Sequence, residues 1–164
     1  MRKGYHWILL KGDYHHKQRD PEALCVLADK LFTIGGRGVA FPPADFGIDA
    51  DDLNWFATLV TREGKLFEPS DARIYRGKVG RVTLPRARQC HNNTSRLYYA
   101  GRIASVCSGW SLQPGEEIWH RHSWALSKTG RVWETTPPRR RCFGFVFDED
   151  SKIEKLIDLT YRGI

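Results

Sequence analysis

Three residues in the C-terminal half of the chain have the chemistry of nucleophilic acyl transfer: Cys90, His122 and Glu134. A cysteine attacks a carbonyl as its thiolate and so needs a lowered pKa. A helix N-terminus helps, because its unpaired N–H groups and dipole favour negative charge. Cys90, Thr94, Leu97 and Gly101 recur at helical spacing, which predicts a helix over about 90–100 that begins on the cysteine and stops at the glycine. The bland alternative is that Cys90 is a small buried residue, the commoner fate of a lone thiol. Its downstream company favours the nucleophile.

That company lies in a predicted hairpin. Alternating runs at 118–127 and 131–135 flank Lys128-Thr129-Gly130, and Gly130 suits the left-handed third position of a three-residue turn. This register pairs Ser127 with Arg131, Trp124 with Glu134 and His122 with Thr136. His122 and Glu134 then share a face as diagonal neighbours about 7–8 Å apart or less, within reach for the carboxylate to orient the imidazole. A slip of one residue would send Glu134 to the opposite face.

The elements Gln89-Cys90-His91-Asn92-Asn93, Gly109-Trp110, His122-Ser123-Trp124, the run from Gly130 to Thr135 and Phe143-Gly144-Phe145 together resemble the papain-like cysteine peptidase and transglutaminase-like superfamily. The closer likeness is to small bacterial and phage members with a Cys, then His-x-Trp, a Gly-containing turn, an acidic residue and Thr. The resemblance covers residues 88–147. It implies Cys90 as nucleophile, His122 as general base and Glu134 as orienting acid, where the family more often has Asp or Asn. It also implies Gln89 as the polar side chain near an oxyanion, although papain-like enzymes place that glutamine several residues before the cysteine. The backbone N–H of Cys90 is the better-placed donor, because a helix start presents free N–H groups where charge develops. The implied activity is cofactor-free, thiol-dependent acyl transfer (peptidase, amidase or transglutaminase-like), by a cysteine hydrolase or acyltransferase acting on a peptide, protein or small amide. Trp110 and Trp124 are read as packing residues that wall the site.

A rival constellation draws on Cys90, His91, Cys107, His120, His122 and Cys142 as zinc ligands. Only His120 and His122 have close spacing, and no C-x-x-C or H-x-x-x-H clamp is present, so no metal is expected. His120 is better read as a rim residue.

Other segments must position these groups. Asp20-Pro21-Glu22 opens a helix to residue 34 with Leu24, Leu27, Leu31 and Ile34 on one stripe. Asp49 caps a second helix carrying Leu53, Phe56, Leu59 and Val60 and ending at Gly64. Short extended segments follow at 73–76 and 79–84, ended by Pro85. A strand runs through 103–112, another through 142–147, and a last helix carries Ile153, Leu156, Ile157 and Thr160. The expected fold is α+β with a papain-like core: N-terminal helices and the Cys-bearing helix packed on an antiparallel β-sheet, in one domain over 1–164.

At 164 residues the chain can bury a core without metals or disulfides. The four cysteines lack the density of a secreted scaffold, and no apolar run approaches a signal core or a membrane span, so a cytoplasmic location is the default expectation. Lys and Arg outnumber Asp and Glu by 26 to 19, a formal charge of +7 that favours anionic partners. Basic residues concentrate at Arg73, Arg76, Lys78, Arg81, Arg86, Arg88, Arg96 and Arg102 and in Arg139-Arg140-Arg141. The last run, stiffened by Pro137-Pro138, is expected to border the catalytic cleft and attract an anionic partner. A solvated basic loop is the alternative. With no nucleic-acid motif beside the charge, a basic module for nucleic acid or an acidic protein is the second reading of function.

Overall fold

The N-terminal apolar stripes fold as the periodicity dictates. In the computed structural model, which describes residues 7–11, 22–41, 50–68, 72–84 and 89–161, α1 (Glu22–Ile34) buries Leu24, Leu27 and Leu31, and α2 (Ala50–Glu63) buries Phe56 and Val60. The capping residues Asp20, Pro21 and Asp49, and the terminator Pro85, lie outside the described residues. The two helices pack on each other, and α2 also packs on the sheet.

That sheet has eight strands: β1 (Trp7–Leu10), β2 (Gly38–Phe41), β3 (Lys65–Phe67), β4 (Arg73–Ile74), β7 (Ser105–Leu112), β8 (Ile118–Leu126), β9 (Val132–Glu134) and β10 (Arg141–Phe147). Between β4 and β7 come β5 (Gly77–Val79) and β6 (Val82–Leu84), a separate hairpin turning at Gly80 with φ +59°, and the helix α3 (Cys90–Tyr99). The chain closes with α4 (Asp150–Tyr161), where Ile153 and Leu156 are buried; the side chains of Ile157 and Thr160 lie outside the described residues. Among the described residues no helix is long and apolar enough to cross a membrane.

The main path through the sheet runs β1-β2-β8-β7-β10-β3, with β9 also on β8 and β4 on β9. The fold is α+β, but the expectation of a purely antiparallel sheet needs correction. β2 runs parallel to β8, through Gly38↔Ile118 and Val39↔Trp119, and β4 runs parallel to β9. β2 is four residues long and buried throughout, so it carries no alternation for a sequence reading to find. β1 and β3 are as short and were equally invisible.

The main core lies between the helices and one sheet face, where Phe56 packs against Trp110 at 5.6 Å and stacks with Phe147 at 6.4 Å. A smaller cluster of Cys107, Trp124, Val132 and Cys142 covers the opposite face. Here Gly109 and Gly144 face each other across β7 and β10. A Cβ at Gly144 would meet Ser108 O at 2.4 Å and the Trp124 ring at 2.6 Å, so only glycine lets that ring lie on the strand. The ring in turn supports the catalytic candidates beside it.

Candidate active site

The edge of β8 positions the site. β7 pairs along one side of β8 from His120 to Leu126, while the other side is taken by β2 at 118–119 and by β9 at 125–126. The middle of β8 is left to the start of α3, which packs on β8 and β7. Successive strand residues point to opposite faces. Cys90 interacts with His122, and His91 bonds to Ser123, so the helix start straddles the strand.

The hairpin has the expected register. Leu126 pairs with Val132 and Ala125 with Trp133, Ser127 N–H donates to Arg131 O at 2.9 Å, and Gly130 holds φ +76°. His122 and Glu134 consequently meet: His122 Nε2 lies 2.9 Å from Glu134 Oε2, both side chains fully buried. Trp124 stacks on the imidazole at 6.0 Å with planes 19° apart. Burial would lower the His122 pKa, but the Glu134 charge and its hydrogen bond, together with Cys90, outweigh it and raise the ring to about 9. Glu134 thus favours the charged form of the His122 ring.

Nε2 is committed to Glu134, which leaves Nδ1 as the nitrogen for Cys90. Cys90 is the first residue of α3 and is only 9% exposed. Burial pushes its thiol up, yet the neighbouring His91 charge and the interactions with the His122 and His91 imidazoles bring it well below the ordinary value. His122 Nδ1 has no aligned hydrogen-bond partner among the described residues, so the two groups attract as a close pair rather than through a well-directed bond.

Gln89 is the residue preceding α3. Its carbonyl accepts the first helical bond from Asn93 N–H at 2.8 Å, and its side chain makes no capping bond. The N–H groups of the helix start, Cys90 included, therefore have no acceptor within the helix. Asn93 Nδ2 ties that start to the residue after β9 by donating to Thr135 O at 3.0 Å.

Two residues whose charges act on Cys90 were given no such role by the sequence reading, which named His91 only within the Gln89–Asn93 motif and as a possible zinc ligand. His91 Nδ1 lies 2.6 Å from Ser123 Oγ, which itself donates to Ser108 Oγ at 2.9 Å. Because the Ser123 hydrogen is used there, His91 donates from Nδ1, and its Nε2 is the remaining nitrogen. Adjacency to Cys90 at a helix start was the available signal. Arg121 sits between aromatic rings, its guanidinium carbon 4.1 Å from the Phe56 centroid and 4.9 Å from Trp110. Nη1 donates to Gly109 O at 2.8 Å, while Nε and Nη2 are sealed from solvent without a partner among the described residues. Burial lowers its pKa to about 9, and the charge of Cys90 opposes that fall. No sequence pattern marks a half-buried arginine with sealed guanidinium nitrogens on an alternating strand.

Other candidates separate. Trp110 pairs with Arg121 on the helix-covered face and so does not wall the site, whereas Trp124 does. Strand alternation is the reason. Cys107 and Cys142 are buried thiols whose pKa burial pushes up, and His120 lies 3.5 Å from Glu116. Among the described residues no group of three or more His, Cys, Asp or Glu is placed to hold a metal ion. In the run Arg139-Arg140-Arg141, Arg139 Nη2 reaches Thr136 Oγ1 at 3.5 Å, Arg140 is exposed, and Arg141 is tied to Ile34 O and Glu68.

Compared with models of protein families, with curated proteins and with solved structures, the chain matches none.

Proposed function

We propose that the chain is a thiol-dependent acyl-transfer enzyme with a papain-like core, acting through Cys90, His122 and Glu134. The observation that carries this reading is the chain of contacts at the start of α3: a buried carboxylate on one nitrogen of a buried imidazole, and a low-pKa cysteine at a helix N-terminus beside the other. A merely structural cysteine has no need of two imidazoles.

In this mechanism Cys90 Sγ attacks a carbonyl carbon, and the developing oxyanion is met by the Cys90 N–H at the helix start. The C–N bond of the amide breaks as the His122 imidazolium gives its proton to the leaving amine. Water or an acceptor amine then loses a proton to His122 and releases the acyl group from sulfur. Glu134 keeps the ring oriented and stabilises its charged form throughout. The substrate would be a peptide, a protein or a small amide.

An activated acetyl ester tests the reading directly. A rapid burst of alcohol release followed by slow turnover, with the acetyl group on Cys90 and released by hydroxylamine, is the expected result. Equal acetylation of the Cys90→Ser variant, or none in the native protein, would refute it.

A further inference from the structure

On the side of β9 away from Glu134, the tip of the catalytic hairpin borders a second pocket, of about 320 Å³. Arg73, Arg102, Lys128 and Arg131 line it, together with Ser127, Thr129 and Trp133, and among the described residues no carboxylate does. The four cations come from three separate stretches of chain: β4, the turn after α3, and the turn between β8 and β9. All four are exposed, and none has an acidic partner among the described residues, in contrast to Arg37, Arg141 and Lys152.

Four like charges around one concavity repel, and a folded chain gains nothing from that arrangement by itself. A single carboxylate would leave most of the charge uncompensated. A ligand with several negative oxygens would compensate it, and three of the four cations are guanidiniums, whose planar fork matches phosphate oxygens in pairs.

The hairpin tip is also held in place before any ligand arrives. Ser127 Oγ accepts from Arg131 N–H at 3.0 Å and from Thr129 N–H at 3.3 Å, and Gly130 N–H donates to Ser127 O at 2.9 Å. Lys128 and Arg131 therefore project from a fixed turn, which limits the ordering cost of binding. Trp133, backed by Tyr75 at 5.5 Å, supplies one wall. The volume suits a small ligand, whereas nucleic acid would need a charged track running beyond the pocket.

We propose that this pocket binds a small ligand bearing two or more linked phosphate groups. The inference does not rest on the acyl-transfer reading, since the pocket shares no residue with Cys90, His122 or Glu134. Calorimetric titration of the full chain with inorganic pyrophosphate, at an ionic strength of about 0.15 M, is the test. One site per chain is expected, weakened about tenfold or more by Arg102→Gln or Lys128→Gln, as loss of one charge-assisted contact implies. Lys155→Gln, which removes an exposed cation stacked over Trp55, should leave the affinity unchanged. Absence of pyrophosphate binding would overturn the proposal. So would an equal loss in Lys155→Gln, which would mean diffuse attraction, or binding of single-stranded DNA without pyrophosphate, which would mean a backbone-tracking surface.

Discussion

Cys90 and Cys142 are both buried thiols in the same molecule, and their environments drive them in opposite directions. Cys142 lies in the cluster with Cys107 and Trp124, where burial, helped by the Glu134 charge, outweighs the Arg139 charge and pushes the thiol up. Cys90 suffers the same burial penalty, but two imidazoles at the start of α3 reverse it. On the proposed function, reactivity belongs to what surrounds the sulfur. Exposure does not confer it, and neither does residue type.

The sharpest way to break the comparison is to exchange roles by mutation. Cys90→Ala should lower acyl-transfer turnover by about 10⁴-fold or more, as loss of a nucleophile does, while Cys107→Ala and Cys142→Ala keep their activity. Steady-state rates on a responsive amide or ester check this. Comparable losses at Cys142 would place the chemistry elsewhere.

A smaller effect is expected at the carboxylate. Glu134→Gln keeps a hydrogen bond to His122 but not its charge, so turnover should fall about 10²-fold with the fold intact. The His122 pKa should drop from about 9 toward its ordinary range. Proton NMR titration of the imidazole reads the second change, which a purely structural Glu134 would not produce. The native pH–rate profile has the corresponding signs. On the proposed mechanism, activity should be lost at low pH as the Cys90 thiolate is protonated, below the ordinary thiol range, and lost at high pH as His122 gives up its proton near pH 9.

Below that comes His91→Gln, expected to lower turnover about tenfold and to move the acid limb upward by removing one of the two imidazoles beside Cys90. An unmoved acid limb would reduce His91 to its hydrogen bond with Ser123. The smallest effect is in stability. Cys142→Ala leaves a small cavity beside Trp124 and should cost about 1–2 kcal/mol in denaturant unfolding, with Cys90 chemistry unchanged.

Those opposed environments were legible in the sequence to different degrees. Cys90 at a helix start followed from the spacing of Thr94, Leu97 and Gly101, and the meeting of His122 with Glu134 followed from Gly130, because a three-residue turn admits one register. The sheet around them was harder to read. β2 pairs in parallel with a strand some eighty residues later, through four buried residues without alternation, and nothing local encodes such a pairing. Arg121 and the Arg73–Arg102–Lys128–Arg131 pocket share that obscurity, since each depends on which distant segments the fold brings together.

The central claim, that Cys90 is held as a reactive thiolate, is tested most directly by the pH dependence of iodoacetamide labelling, followed by peptide mapping in the folded protein. Cys90 should be labelled rapidly well below the free-thiol pKa of about 8.5, with Cys107 and Cys142 inert across the same range. Labelling of Cys90 that begins only near the free-thiol value, or no faster than at the other two, would contradict it.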